Sequence, residues 1–397
     1  MKKKLYISRA VKLVSFALVV LMLTYLLQAF VLKRNDNNTL RMDGFFAEDK
    51  DSLDVVVIGA SDVYAGFASP LAYDKYGITS YPFATMSAPP QAVLYQIREV
   101  IKNQHPQLIL VEVNAFTYKD NDLPTEPSHR MFIDNVPRDE IWREYIEKTF
   151  PEDKRLEFYF PLIKYHGSWS DYPWKFKFLA TDLALRQRGY SLFRGFKTVA
   201  NEFHPTGAVY NDQVADNDET MPVGATSEKY LKEMLDYLTE NNIKNVVFTR
   251  FPHIIDNDSF TRFKRTNAIG NIIESYGYDF INLERYGAQE GFDTNKDFYN
   301  WDHLNIYGSE KLTHYFCKKF INEYGVTPST LTEKQKEGWQ KSVNYYYMIY
   351  YYSQEMIKRR VKLGKTDNGG TTVSEDDKSI YTIEKYARKT HPELLDE

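Results

Sequence analysis

Twenty consecutive residues without a charge, Leu13 to Leu32, set the first limit on this chain. At about 1.5 Å per residue, a helix of that length reaches about 30 Å, the depth of a bilayer's hydrocarbon core. Five basic residues precede the run (Lys2, Lys3, Lys4, Arg9 and Lys12), two follow it (Lys33 and Arg34), and residues 1–34 hold no acid. This asymmetry predicts a single-pass anchor at the cell membrane, its N-terminus cytoplasmic and the rest of the chain extracytoplasmic. A cleaved signal peptide is the alternative, but the run is long for one and no small-x-small cleavage site follows it. Beyond the anchor the chain has 43 basic and 54 acidic residues, which gives no reason to expect a nucleic-acid partner. A single cysteine, Cys317, excludes an intramolecular disulfide framework and a cysteine-based zinc site.

After a polar stretch that reads as a stalk (35–52), strand and helix signals alternate. Leu53-Asp54-Val55-Val56-Val57-Ile58 and Leu108-Ile109-Leu110-Val111-Glu112-Val113 are apolar, β-branched runs of the kind buried on both faces of a parallel sheet. Thr79–Ala84 reads as a strand between them, and Gln91–Asn103 has helical spacing behind Pro89-Pro90. The rhythm resumes with a helix over Ser227–Asn241, a strand over Asn245–Thr249, a helix over Phe260–Tyr276, a short strand over Asp279–Leu283 and a helix over Ile306–Tyr324. The expected fold is α/β, a three-layer α/β/α (flavodoxin-like) parallel sheet over 53–326, with a helical and loop insert at about 137–224. A Tyr-rich helix (327–363) and a linker with a polar tail (364–397) are expected to follow. The His166–Trp169–Trp174 neighbourhood suits either a sugar platform or an ordinary aromatic core.

Three places stand out for chemistry. Gly59-Ala60-Ser61-Asp62 follows the first buried strand, and ligands of open α/β sheets bind at the carboxyl ends of strands. A serine there suits a nucleophile with its backbone N–H as an oxyanion donor, although Ser and Asp are also ordinary N-caps. Asn114 follows the next buried strand and can donate to an oxyanion, or be a plain turn residue. Trp301-Asp302-His303-Leu304-Asn305-x-x-Gly308 precedes the last helix of the sheet domain. His303 could take the proton of a serine hydroxyl, or be a polar loop histidine. Asp62, Arg250 and His253 are candidates to line the pocket. No histidines have metal-site spacing, and the turn after Gly59 lacks the Lys-Ser/Thr of a phosphate loop. Neither a metal nor another cofactor is expected.

This order of Ser, Asn and Asp-His resembles the SGNH (GDSL-like) hydrolase superfamily over roughly 53–120 and 240–325. Gly59-Ala60-Ser61 is similar to its first block, Asn114 to its third, and His303 to its fifth. Three positions depart from the pattern: Ala60 and Ala115 stand where Asp is usual, and Asn300 stands three residues before His303 where Asp is usual. Asp302 could serve instead, Asn300 could hold the imidazole by a neutral hydrogen bond, or the site could be a weaker Ser-His pair. Met86-Ser87-Ala88-Pro89 occupies the place of the second block, making Ser87 or Ala88 the candidate second backbone oxyanion donor. The anchored layout is also similar to the proteins of alginate O-acetylation and teichoic-acid D-alanine transfer. The segments Ser128–Asn135 and Lys164–Trp169 look like features of that branch. The resemblance implies a serine esterase or O-acyltransferase acting on a cell-surface polysaccharide or other acylated polymer, beside a membrane-bound O-acyltransferase. A non-catalytic assembly factor that docks a membrane partner is the alternative.

Overall fold

The computed structural model describes residues 2–26, 37–167 and 181–395. Residues 27–32 of the uncharged run, residues 33–36, Trp169 and Trp174 lie outside the described residues. The first helix is Lys2–Leu26, and its segment Arg9–Leu26 is long and apolar enough to cross a membrane.

The apolar runs become five parallel strands: β1 (Val55–Gly59), β2 (Ser80–Ala84), β3 (Leu108–Glu112), β5 (Val246–Arg250) and β6 (Phe280–Asn282). Two further strands, β4 (Thr198–Ala200) and β7 (Thr371–Val373), form a separate antiparallel pair. The main sheet runs β2-β1-β3-β5-β6, the order of a doubly wound sheet whose switch point lies between β1 and β3.

Alternate strand residues feed two cores, as the period of two requires. Val56, Ile58, Ile109, Val111, Val246 and Phe248 pack on one face against helices Pro90–Gln104, Ala225–Glu240 and Phe260–Ser275. Val55, Val57, Leu108, Leu110 and Val247 pack on the other against helices Ser61–Gly66, Ser69–Tyr76 and Ile306–Asn322. The insert between the halves holds helices Glu140–Thr149, Glu152–Tyr159 and Pro161–Tyr165, with 181–188 also helical.

Two segments differ from expectation. The stretch read as a stalk contains the helix Asn37–Ala47, which covers the β2 edge of the sheet. Its Met42 and Phe45 are fully buried, and Phe45 stacks on Phe83 of β2 at 4.1 Å. Gly44 permits this approach, because a Cβ there would lie 2.3 Å from the Tyr81 hydroxyl. The stretch read as linker and polar tail is also built in. Strand β7 pairs with β4, and buried Glu375 accepts from the Leu192 amide at 2.8 Å and from Arg188 at 2.9 Å. The helix Asp377–Thr390 buries Ile383 and Ala387 in the cluster that also holds Tyr346 and Ile349. Those tyrosine-rich turns belong to helix Glu333–Lys362, which buries Trp339, Tyr345, Tyr346, Met348 and Ile349.

Candidate functional site

Both β1 and β3 end at the switch point, and each is followed there by a polar side chain. Gly59 closes β1 at φ +153°, where a Cβ would lie 3.0 Å from Glu112 Cβ, so only glycine lets the two strand ends sit this close. Ser61 then begins the helix Ser61–Gly66, behind Ala60 in extended backbone. Asn114 lies in the helical turn Val113–Phe116 just after β3, with its amide N–H bonded to Glu112 Oε2 at 2.8 Å.

The third element is a tight loop before helix Ile306–Asn322. Phe298 and Leu304 form an antiparallel bridge, and the Tyr299 amide donates to His303 O at 3.0 Å. Asn305 fixes the loop base. Its Oδ1 caps the helix at the Tyr307 amide (2.9 Å), and its Nδ2 donates to Lys296 O (2.7 Å) and Asn201 O (2.9 Å). The phenol ring of Tyr299 stacks on the imidazole of His303, with centroids 5.2 Å apart and planes 10° off parallel.

These pieces bring Ser61, His303 and Asn300 into one hydrogen-bonded chain. Asn300 Oδ1 accepts from the amides of Asp302 (3.0 Å) and His303 (2.9 Å), so this atom is an acceptor. It stands 3.0 Å from His303 Nδ1, which must therefore carry the proton and donate. Nε2 is then the bare nitrogen, and the Ser61 hydroxyl donates to it at 2.8 Å. A serine hydroxyl held on the free lone pair of a neutral imidazole is an arrangement that can deliver an activated nucleophile. Burial pushes the His303 pKa down, against the upward pull of Asp62 and Asp302, which keeps the imidazole in the proton-accepting form.

Beneath Ser61 lies a buried charge network. Asp62 Oδ2 faces His253 Nε2 at 3.1 Å and Arg250 Nη1 at 3.4 Å. Arg250 also meets Glu112 at 3.0 Å and Glu284 at 2.7 Å, and His253 Nδ1 lies 2.7 Å from Phe251 O. Burial works to raise the Asp62 pKa, but the pull of His253 and of the Arg250 guanidinium outweighs burial and holds the carboxyl well below the usual range. Glu112 goes the other way, raised by burial and by the neighbouring charge of Asp62 against the pull of Arg250.

The network corrects three expectations. Arg250 and His253 do not line the pocket; they lie fully buried below Asp62. Asp302 does not orient the imidazole: its carboxylate pairs with Arg262 at 2.6 Å, and Asn300 takes the Nδ1 position. Ala88 is fully buried and away from the opening, whereas Ser87, at φ 49°, lines it.

The opening is a cleft of about 690 Å3 whose lining includes Ser61, Asp62, Ser87, Asn114 and His303 together with Lys119, Arg262, Arg265 and Trp301. Asn114 Nδ2 donates to Asp62 Oδ1 at 3.2 Å, and the amide's second hydrogen is left for a group in the cleft. His166 is exposed and its Nδ1 lies 2.6 Å from Ile163 O, outside the lining of this cleft. Sequence reasoning missed Glu284, Tyr299 and Arg262. Glu284 follows the end of β6, so the strand-end rule that singled out Ser61 and Asn114 would also have reached it; nothing in the sequence marks the other two. Among the described residues, no group of three or more His, Cys, Asp or Glu side chains is placed to hold a metal ion.

No protein-family model matches the chain, and no curated protein matches it.

Proposed function

We propose that this chain is a membrane-anchored serine esterase or O-acyltransferase of the SGNH type. It handles O-acyl groups, acetyl foremost, of a cell-envelope polysaccharide on the outer side of the membrane, beside a membrane-bound O-acyltransferase. The observation that carries this reading is the Ser61–His303–Asn300 chain at the switch point of the doubly wound sheet.

In this mechanism the Ser61 proton passes to His303 Nε2 as Oγ bonds to the acyl carbonyl carbon. The carbonyl π pair moves onto oxygen, where the Ser61 N–H and the spare Asn114 hydrogen meet it, with Ser87 beside them. Collapse of the tetrahedral intermediate breaks the bond to the donor's alkoxide, which takes the proton back from Nε2 and leaves an ester on Ser61. A polymer hydroxyl or water then repeats the sequence in reverse. Asn300 keeps the proton on Nδ1 throughout. Trp301 and the polar walls suit a sugar chain running along the cleft.

The test is turnover of an aryl acetate by the full chain in detergent, with Ser61→Ala as the control, followed by addition of oligosaccharide acceptors. Ser61-dependent phenol release supports the reading, and acceptor-dependent acetyl-sugar separates transfer from hydrolysis. Release that persists in Ser61→Ala would overturn the assignment of the nucleophile.

A further inference from the structure

When Ser61 gives up its proton, His303 becomes a cation in a nearly closed setting, where an uncompensated charge is costly. In serine triads the group on Nδ1 is usually a carboxylate that offsets this charge. Here that group is the neutral amide of Asn300. The charged and titratable groups around His303 are Asp62, Asp302, His253 and Lys197, with Ser61 on Nε2 and Tyr299 stacked on the ring. Asp302 is engaged with Arg262 at the rim of the cleft. Asp62 is buried, and its Oδ1 lies 3.8 Å from His303 Nε2.

We propose that Asp62, the residue next to the nucleophile, supplies the negative charge that the His303 imidazolium needs, in place of a carboxylate at position 300. The proposal rests on the acyl-transfer reading above and deepens it. At 3.8 Å the carboxylate offers charge without a hydrogen bond, so it does not displace Ser61 from the Nε2 lone pair. Three neighbours and its own helix fix that distance. His253 and Arg250 hold Oδ2, Asn114 Nδ2 donates to Oδ1, and the Ser61–Gly66 helix carries the backbone. Asp62 is thus a positioning and charge-balancing residue that acts through His303. The buried Arg250 guanidinium beneath it keeps it ionised, and His253 helps keep it still.

The test uses the full chain in detergent and a fluorophosphonate as the probe, because its rate of attachment to Ser61 reports how well His303 activates the hydroxyl. In the parent the rate rises with pH as His303 loses its proton. Asp62→Asn keeps the shape and the Asn114 bond but removes the charge. Its plateau rate should fall about tenfold or more, and its inflection should move to lower pH. Adding Asn300→Asp to that variant places a carboxylate on Nδ1, and should recover about threefold or more while moving the inflection back up. An unchanged plateau and inflection in Asp62→Asn would overturn the proposal, as would a loss that Asn300→Asp does not recover.

Asn300→Asp in the parent gives a reading independent of how Asp62→Asn folds. With Asp62 already supplying the charge, its gain should stay below about threefold, whereas a gain of about tenfold would mean that His303 had lacked a counter-charge. If the parent is not labelled at all, the acyl-transfer reading fails rather than the charge assignment. The His303 titration, followed by NMR of 13C-labelled histidine, then decides the latter: the pKa must fall in Asp62→Asn, and an unmoved pKa overturns it.

Discussion

Asp62 and Asp302 are both sequence neighbours of a reactive side chain, one following Ser61 and the other preceding His303, yet they sit in opposite environments. Asp62 is buried against Arg250 and His253. Asp302 lies at the rim, its side chain 41% exposed and paired with Arg262, itself partly exposed. Adjacency in the chain therefore says little about which carboxylate acts on the imidazole. The decisive factor is which of them faces the ring from a low-dielectric floor, where charge is not screened by water.

The contrast between buried floor and wet rim can be broken at four points. The largest effect should come from Arg250→Met, which leaves Asp62, Glu112 and Glu284 without their shared cation. Removing one partner of a buried ion network typically costs about 3–5 kcal/mol, read by chemical denaturation. A loss below about 1 kcal/mol would mean that the floor is more solvated than its burial implies.

Next comes Asn114→Ala, which removes the cleft-facing amide while keeping the strand end. Loss of an oxyanion donor should lower aryl acetate turnover by about 10²- to 10³-fold, or about 2.7–4 kcal/mol, with the fold intact by circular dichroism. Unchanged turnover in a folded variant would remove Asn114 from the mechanism.

Glu99 supplies a control, a buried carboxyl in helix Pro90–Gln104 whose side chain is hydrogen-bonded by Asn103 at 3.2 Å. Burial, reinforced by the charge of Asp139, pushes its pKa up to about 7. Because the folded state holds this proton more tightly than the unfolded state, stability from this group is full below about pH 4.5 and is lost as pH rises towards 7. Asp62, whose pKa is depressed, has the opposite sign: its contribution is present above the usual carboxylate range and is lost only in acid. Glu99→Gln should therefore raise stability at pH 8 by about 1–3 kcal/mol and do little at pH 4, measured as denaturation midpoints at the two pH values.

The smallest effect belongs to Asp302→Asn. A partly exposed pair such as Asp302–Arg262 is worth about 1 kcal/mol or less after screening, so turnover should change by less than about fivefold. A loss of about 100-fold would restore Asp302 as the partner of the imidazole and contradict the comparison.

What the sequence reveals of all this follows a physical boundary. Ser61, Asn114 and the turn around His303 are legible because each follows a buried run or precedes a helix, and both signals are local. The α/β order is legible for the same reason. The floor is not, because its contacts join residues far apart: Arg250 to Glu112 across 138 positions and His253 to Asp62 across 191. Nothing near Arg250 or His253 in the chain marks them as buried beneath Asp62. The segments read as a stalk and as a linker with a polar tail mislead for a different reason. In Asn37–Ala47 the buried residues include the polar Asn38, Thr39, Arg41 and Asp43 beside Leu40, Met42 and Phe45, and Asp377–Thr390 buries only Ile383 and Ala387 and leaves the rest of its length exposed or half-buried. By average composition such helices look like solvent-exposed linkers, and only the tertiary surface they cover distinguishes them.

The measurement closest to the central claim is intact and peptide mass spectrometry of the full chain quenched during turnover of an aryl acetate. The account predicts one acetyl group, on the peptide that begins the helix Ser61–Gly66 and on Ser61 itself, absent from both Ser61→Ala and His303→Ala. An acetyl group on another residue, or one on Ser61 that forms equally well without His303, would contradict it.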